Sequence, residues 1–182
     1  MREAPLTRPV IGRNVMVIGS PGSGKSTLTR ALASRYQLRP IHMDQLYWMP
    51  GWRVRHGEQL LALVEEAILA DGWVFDGNYS RSFAIRGERA DTLIWLDMSR
   101  SLCLARVVRR IATGYGSVRP DMAHGCPERF DLGFLRYVWT FPRHSAPGLA
   151  RFYDGFSRSK YRLTSPAEVA GFLDHAGMAA LR

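Results

Sequence analysis

Gly19-Ser20-Pro21-Gly22-Ser23-Gly24-Lys25-Ser26 satisfies every fixed position of the pattern G-x-x-x-x-G-K-[ST]. Glycines so placed let a loop curl until successive backbone N–H groups point inward at an anion. A helix that begins at the lysine adds its free N–H groups and positive dipole end to the same anion. In such a cradle Lys25 reaches the β- and γ-phosphates of a nucleoside triphosphate and Ser26 ligates Mg²⁺, with Thr27 beside it. The spacing therefore predicts an ATP site with Mg²⁺ as cofactor.

Other residues suit phosphoryl transfer. A carboxylate serving the metal is expected at the end of a strand next to the phosphate loop, and Asp76 and Asp97 both qualify. Asp76 is preferred because Gly77-Asn78-Tyr79-Ser80-Arg81 follows it. Asp44 ends a short apolar run; it suits proton acceptance from a hydroxyl, organisation of magnesium water, or simple capping. Arg106, Arg109 and Arg110 stand at i, i+3 and i+4 and so share one helix face. Their positive charge matches the negative charge that spreads over the oxygens of a transferring phosphoryl group. Arg119 and Arg129 bracket a Gly- and Pro-containing segment that reads as a lid over residues 113–129. Trp48 and Trp52 are candidates either for stacking on a base or sugar or for packing beneath a loop. His42 and His56 lack ligand spacing and Cys126 lacks a partner base, so none of the three is assigned chemistry.

These residues need a scaffold. Arg13 to Gly19 reads as a buried strand and Gly24 to Tyr36 as the helix after it. Pro40–Met43, Trp73–Phe75, Leu93–Leu96 and Lys160–Leu163 read as further strands. Helices are expected from Leu60 to near Asp71, from a Ser99 cap with Leu104, Val107, Val108 and Ile111 inward, around 130–141 and 145–155, and from a Ser165 cap with Pro166 and Glu168. Asp44 to Gly57 reads as irregular and rich in aromatics. Alternating strands and helices imply one α/β domain, a three-layer P-loop NTPase sandwich whose five-stranded parallel sheet has the order 2-3-1-4-5.

Composition narrows the class. At 182 residues with 46% hydrophobic residues the chain is sized for one domain and is not disordered. No apolar run approaches the ~20 residues of a membrane span. Met1 to Gly12 shows no signal-peptide pattern, and two cysteines make no disulfide framework, so a cytoplasmic setting is expected. The formal charge of +9 is uneven: residues 100–162 carry twelve basic residues against four acidic ones. All basic residues but Lys25 and Lys160 are arginines, which grip phosphate through a two-pronged fork.

Asp76-Gly77-Asn78-Tyr79-Ser80-Arg81 resembles the D-G-F-P-R segment of adenylate kinases, with one residue inserted. That resemblance implies a magnesium role for Asp76 and an acceptor-phosphate role for Arg81. A closer likeness is to the P-loop kinase-like topology-modulation proteins, carried by His42-Met43-Asp44, Leu46-Tyr47-Trp48, Pro50-Gly51-Trp52, Asp76-Gly77-Asn78-Tyr79, Arg119-Pro120-Asp121-Met122 and Gly125-Cys126-Pro127-Glu128-Arg129. It implies a fold of the nucleoside-monophosphate-kinase branch. Two functions follow as expectations. One is a kinase that moves the γ-phosphate of ATP to a nucleotide-like or small hydroxyl acceptor, with Asp44 and Arg81 toward the acceptor and Arg106, Arg110 and Arg119 over the phosphate. The other is a nucleotide-dependent DNA-binding regulator, for which the basic charge is the motive; Arg136, Arg143, Arg151 and Arg158 lie outside the phosphate reading.

Overall fold

The structure is a computed structural model and describes residues 9–178. Residues 1–8 of the stretch read for export lie outside the described residues. The chain begins with β1 (Val10–Ile11) and β2 (Asn14–Gly19). Helix α1 (Lys25–Tyr36), β3 (Arg39–His42), α2 (Met43–Tyr47), β4 (Trp48–Met49), β5 (Arg53–Val54) and α3 (Gly57–Ala67) follow. Next come β6 (Trp73–Asp76), a 3₁₀ turn at Ser80–Ser82, α4 (Phe83–Arg89), β7 (Thr92–Leu96) and α5 (Arg100–Gly114). The chain closes with α6 (Leu132–His144), α7 (Ala146–Gly155), β8 (Ser159–Leu163), α8 (Pro166–His175) and β9 (Gly177–Met178).

Five strands form one parallel sheet in the order β3-β6-β2-β7-β8. These labels differ from the expected 2-3-1-4-5 because the short strands β1, β4 and β5 enter the count. Within the large sheet the first strand in the chain is central, flanked by the third and fourth. Strand β2 explains the layers. Val15 and Val17 face one side, toward Leu28 and Leu32 of α1, Val107 and Ile111 of α5 and Phe172 of α8. Met16 and Ile18 face the other, toward Leu60 and Val64 of α3, Phe141 of α6 and Leu149 of α7. A strand covered on both faces has no polar side, hence the continuous apolar run.

Two details depart from expectation. On α5 the buried positions are Cys103, Val107 and Ile111, while Val108 lies on the outward face and is exposed. The stretch read as irregular holds the short helix α2 and the antiparallel hairpin β4–β5.

The loop after β6 is fixed from below by Arg86 of α4, which is wholly buried. Its guanidinium donates to the carbonyls of Gly77 and Tyr79 and to Ser82 Oγ. It lies 4.7 Å over the Phe75 ring and 5.3 Å over Phe83. Burial pulls this group down to about 9, opposed by Asp76. Arg86→Met would strand buried carbonyls that typically cost about 1–3 kcal/mol each. The expected loss of stability is about 3 kcal/mol or more, read from urea unfolding, and a variant within about 0.5 kcal/mol of wild type would contradict the role.

Candidate active site

The carboxyl ends of the sheet strands carry the site, as open α/β sheets require. Positive φ at Gly19, Gly22 and Gly24 lets the loop between β2 and α1 curl. At Gly22 (φ 80°) an added Cβ would lie 2.4 Å from the Cys103 carbonyl, so only glycine allows the loop this close to α5. Lys25 Nζ donates to the carbonyls of Gly19 and Ser20, both at 2.9 Å. Burial pushes its pKa down, while Asp76 and Asp44 push it up. Arg106 reaches across from α5 to the Ser23 carbonyl at 3.2 Å.

A clamp not foreseen from sequence holds the loop in place. Asn78 accepts from Gly19 N–H at 3.0 Å and donates to the Gly19 carbonyl at 2.6 Å. Asn78 follows Gly77, whose φ is 119° and whose added Cβ would meet Met43 Cβ at 2.3 Å. Just before it, Asp76 Oδ2 and His42 Nδ1 are 2.6 Å apart and both buried. The register of β3 on β6 pairs these two residues directly. His42, assigned no chemistry from sequence, therefore orients Asp76. The readable signal was two polar residues ending adjacent strands.

Asp97 goes elsewhere. Its carboxylate binds Arg162 of β8 at 2.5 Å, and it is absent from the walls of the main cleft. Asp76 does line that cleft, which encloses about 1190 Å³ and runs past the phosphate loop to Phe134 and Tyr137 of α6 and Val169 of α8. Asp44, on the first turn of α2, faces the same cleft. Water reaches it through the mouth, but protein surrounds it otherwise, and this burial pushes its pKa up. Lys25 and Arg119 counter the shift, and Asp76 and Asp121 reinforce it.

The segment expected to be a lid is docked. Met122, Ala123 and Cys126 form a small cluster with Trp48 and Trp52. Gly51 N–H donates to the Gly125 carbonyl at 2.9 Å, Trp52 Nε1 to Pro127 at 3.1 Å and Gln45 to Pro120 at 2.7 Å. Both tryptophans thus pack beneath the segment and line the cleft as well.

Two buried acids in this segment, Asp121 and Glu128, were missed as site residues. Glu128 Oε1 lies 2.5 Å from Arg119 Nε and 3.0 Å from Arg110 Nε, the second contact being an ion pair without hydrogen-bond geometry. Asp121 takes Arg119 at 2.7 Å and pairs with Arg30 at 3.5 Å, with the Ser26 hydroxyl close by. Burial alone would raise Asp121, but Arg119, Ser26 and His42 together bring its pKa below the usual value. Arg106, Arg110 and Arg119 therefore meet over the phosphate loop, whereas Arg109 is exposed and absent from the cleft wall. Arg81 is also exposed and outside that wall, with its guanidinium over Gly57.

The oxygen donors that line the cleft beside the phosphate loop (the Ser26 hydroxyl, Asp76 and Asp121) suit Mg²⁺. Among the described residues no three such groups cage an ion unaided. Mg²⁺ commonly takes one or two protein carboxylates and completes its shell with phosphate and water.

No protein-family model matches this chain, and no curated protein does. Solved structures do. One described as "a putative kinase from Chloroflexus aurantiacus j-10-fl" superposes with a TM-score of 0.55 over 93% of this chain and 99% of its own, at 16% identity. The two share one fold. A shikimate kinase from Bacteroides thetaiotaomicron gives a TM-score of 0.48 over 90% of this chain and 94% of its own, at 13% identity. No helix among the described residues is long and apolar enough to cross a membrane.

The Asn78 clamp yields a test on binding alone. Asn78→Ala frees the Gly19 peptide, and MgATP affinity measured by calorimetry should fall about tenfold, the worth of one or two buried hydrogen bonds. Unchanged affinity would mean that the loop holds its shape without the clamp.

Proposed function

We propose that this protein is a Mg²⁺-dependent kinase that transfers the γ-phosphate of ATP to a nucleotide-like or small hydroxyl acceptor. The observation that carries the reading is that Lys25, Ser26, Asp76, Asp44 and three arginines face one cleft at the carboxyl edge of the sheet. Lys25 and the loop N–H groups would hold the β- and γ-phosphates, with Ser26 and Asp76 serving the metal. Bound Mg²⁺ would neutralise charge on the β- and γ-oxygens. Arg106, Arg110 and Arg119 would stabilise charge on the transferring group, held at the right height by Glu128 and Asp121. Asp44 would take the acceptor proton. A carboxylate whose pKa is raised by burial is a stronger base than one in water.

The motif likeness to topology-modulation proteins and adenylate kinases supports the same reading. It rests on the His42-Met43-Asp44, Asp76–Tyr79 and Arg119–Met122 blocks, which hold Asp44, Asp76 and Arg119 of the proposed site.

Coupled ADP release across nucleoside monophosphates, nucleosides and small polyols tests the proposal. At least one acceptor should raise turnover well above slow hydrolysis, and none doing so would defeat it. With that acceptor, Lys25→Ala and Asp44→Asn should each lower kcat by about 10²–10⁴-fold. The base must be ionised to work, so with a raised pKa its activity is lost as pH falls through that raised value. The acid limb of kcat should therefore lie above the ordinary carboxylate range and vanish in Asp44→Asn.

A further inference from the structure

We infer that the acceptor is a small hydroxyl compound carrying no phosphate or carboxylate, held among Tyr47, Trp48, Trp52 and Tyr79 with its hydroxyl at Asp44. This rests on the kinase reading above and narrows it.

An acceptor that carries its own phosphate brings about two negative charges into a partly desolvated cleft, and these need dedicated cations. The acceptor end does not supply them. Arg81, the residue the adenylate kinase resemblance points to, sits over Gly57 outside the cleft wall. Arg53 and Arg55 of the hairpin donate to the carbonyls of Pro50 and Leu46. Among the arginines that do line the cleft, Arg30 pairs with Asp121, Arg110 with Glu128, and Arg119 with both acids. Arg106 is drawn to the phosphate loop. Arg129 comes nearest the tryptophans, 5.2 Å over the Trp52 ring, and it pairs with Asp131 at 3.5 Å.

Asp44 is the exception to this pairing. Asp76, Asp121, Glu128 and Asp131 each have a cationic or imidazole partner, but Asp44 makes no ion pair or side-chain hydrogen bond among the described residues. An anionic acceptor would meet that carboxylate first and be repelled. A neutral or cationic one would hydrogen-bond to it.

The surrounding surface fits the same class. Tyr47 and Trp48 rings stand 4.9 Å apart and nearly perpendicular, Trp48 and Trp52 5.3 Å, Tyr47 and Tyr79 6.0 Å. Such rings offer faces to a sugar or base and attract amines. Trp52 also holds a left-handed backbone (φ 61°), a conformation costly for a bulky residue. Its indole N–H bond to Pro127 fixes the ring in the cleft despite that strain.

In the reaction the acceptor oxygen forms a bond to the γ-phosphorus. The bond from that phosphorus to the bridging oxygen breaks, and its electron pair leaves with ADP. The hydroxyl proton passes to Asp44 and then to solvent as product departs.

Matched pairs test the inference. Nucleosides, hexoses and amino alcohols would each be compared with their own phosphate ester on the full chain. Tryptophan fluorescence in the presence of Mg²⁺ and a non-hydrolysable ATP analogue reports binding, and ADP release reports turnover. At least one free compound should exceed its ester in kcat/KM by about tenfold or more, a discrimination within reach of a single unpaired charge at the acceptor. Trp52→Leu should raise the KM for that compound about tenfold, with circular dichroism confirming a folded protein. Arg129→Gln should leave the preference for the free compound intact. A preference for the esters would overturn the inference, as would no free compound binding or turning over while the analogue binds. Failure of the analogue itself to bind would instead overturn the kinase reading.

Discussion

A buried charge with no carboxylate partner underlies the site. Arg86 is sealed between Phe75 and Phe83 and gives its donors to the carbonyls of Gly77 and Tyr79 and to Ser82 Oγ. Those atoms belong to the loop that carries Asp76 on one side and Asn78 in its middle. Asn78 grips both the N–H and the carbonyl of Gly19, so the start of the phosphate loop is referenced, through one side chain, to a guanidinium beneath the sheet edge. Met43 closes on Gly77 from the α2 side, which brings Asp44 within the same frame. Asp76, Asp44 and the phosphate loop are thereby fixed to one another, the arrangement that positioning and electrostatics at this site require.

The arginine excess has a similarly internal explanation. Arg110 and Arg119 would repel each other over the phosphate loop, and Glu128 holds them by accepting from Arg119 and pairing its charge with Arg110. Asp121 ties Arg119 onward to Ser26 and Arg30. Elsewhere Arg158 donates to the carbonyls of Gly87, Glu88 and Ala90 at the end of α4, and Lys160 to those of Tyr153 and Asp154. Arg162 holds Asp97. Much of the positive charge between residues 100 and 162 thus closes helix ends and carboxylates within the fold. Arg136, Arg143 and Arg151 remain exposed.

What the sequence disclosed divides along a physical line. Strands buried on both faces and helices with capped starts leave patterns within a few residues of themselves, so β2, β6, β7 and α8 could be placed closely, as could the phosphate loop. Contacts between distant segments leave no such trace. Asn78 stands out only as part of the Asp76–Arg81 block, Arg86 does not stand out at all, and Glu128 and Asp121 figure as acids in a basic stretch and members of motif blocks. Their roles depend on register: His42 meets Asp76 because β3 and β6 pair there, a fact of topology rather than spacing. Arg81 illustrates the converse. A local likeness pointed to the acceptor, but the 3₁₀ turn at Ser80–Ser82 carries its side chain to α3.

The tryptophans decide how the site can move. A lid that closes independently needs a boundary with few contacts across it, yet Trp48 and Trp52 are shared between the cluster of Met122, Ala123 and Cys126 and the cleft wall. Hydrogen bonds from Gln45, Gly51 and Trp52 cross the same boundary. Swinging the segment outward alone would expose two indoles and break those bonds together, whereas moving it with the β4–β5 hairpin keeps both. The segment that carries Arg119 and the hairpin that leads to Trp52 are therefore one mechanical unit. A shift at Trp52 bears directly on the position of Arg119, so the aromatic end of the cleft and the arginine cluster are coupled through packing alone.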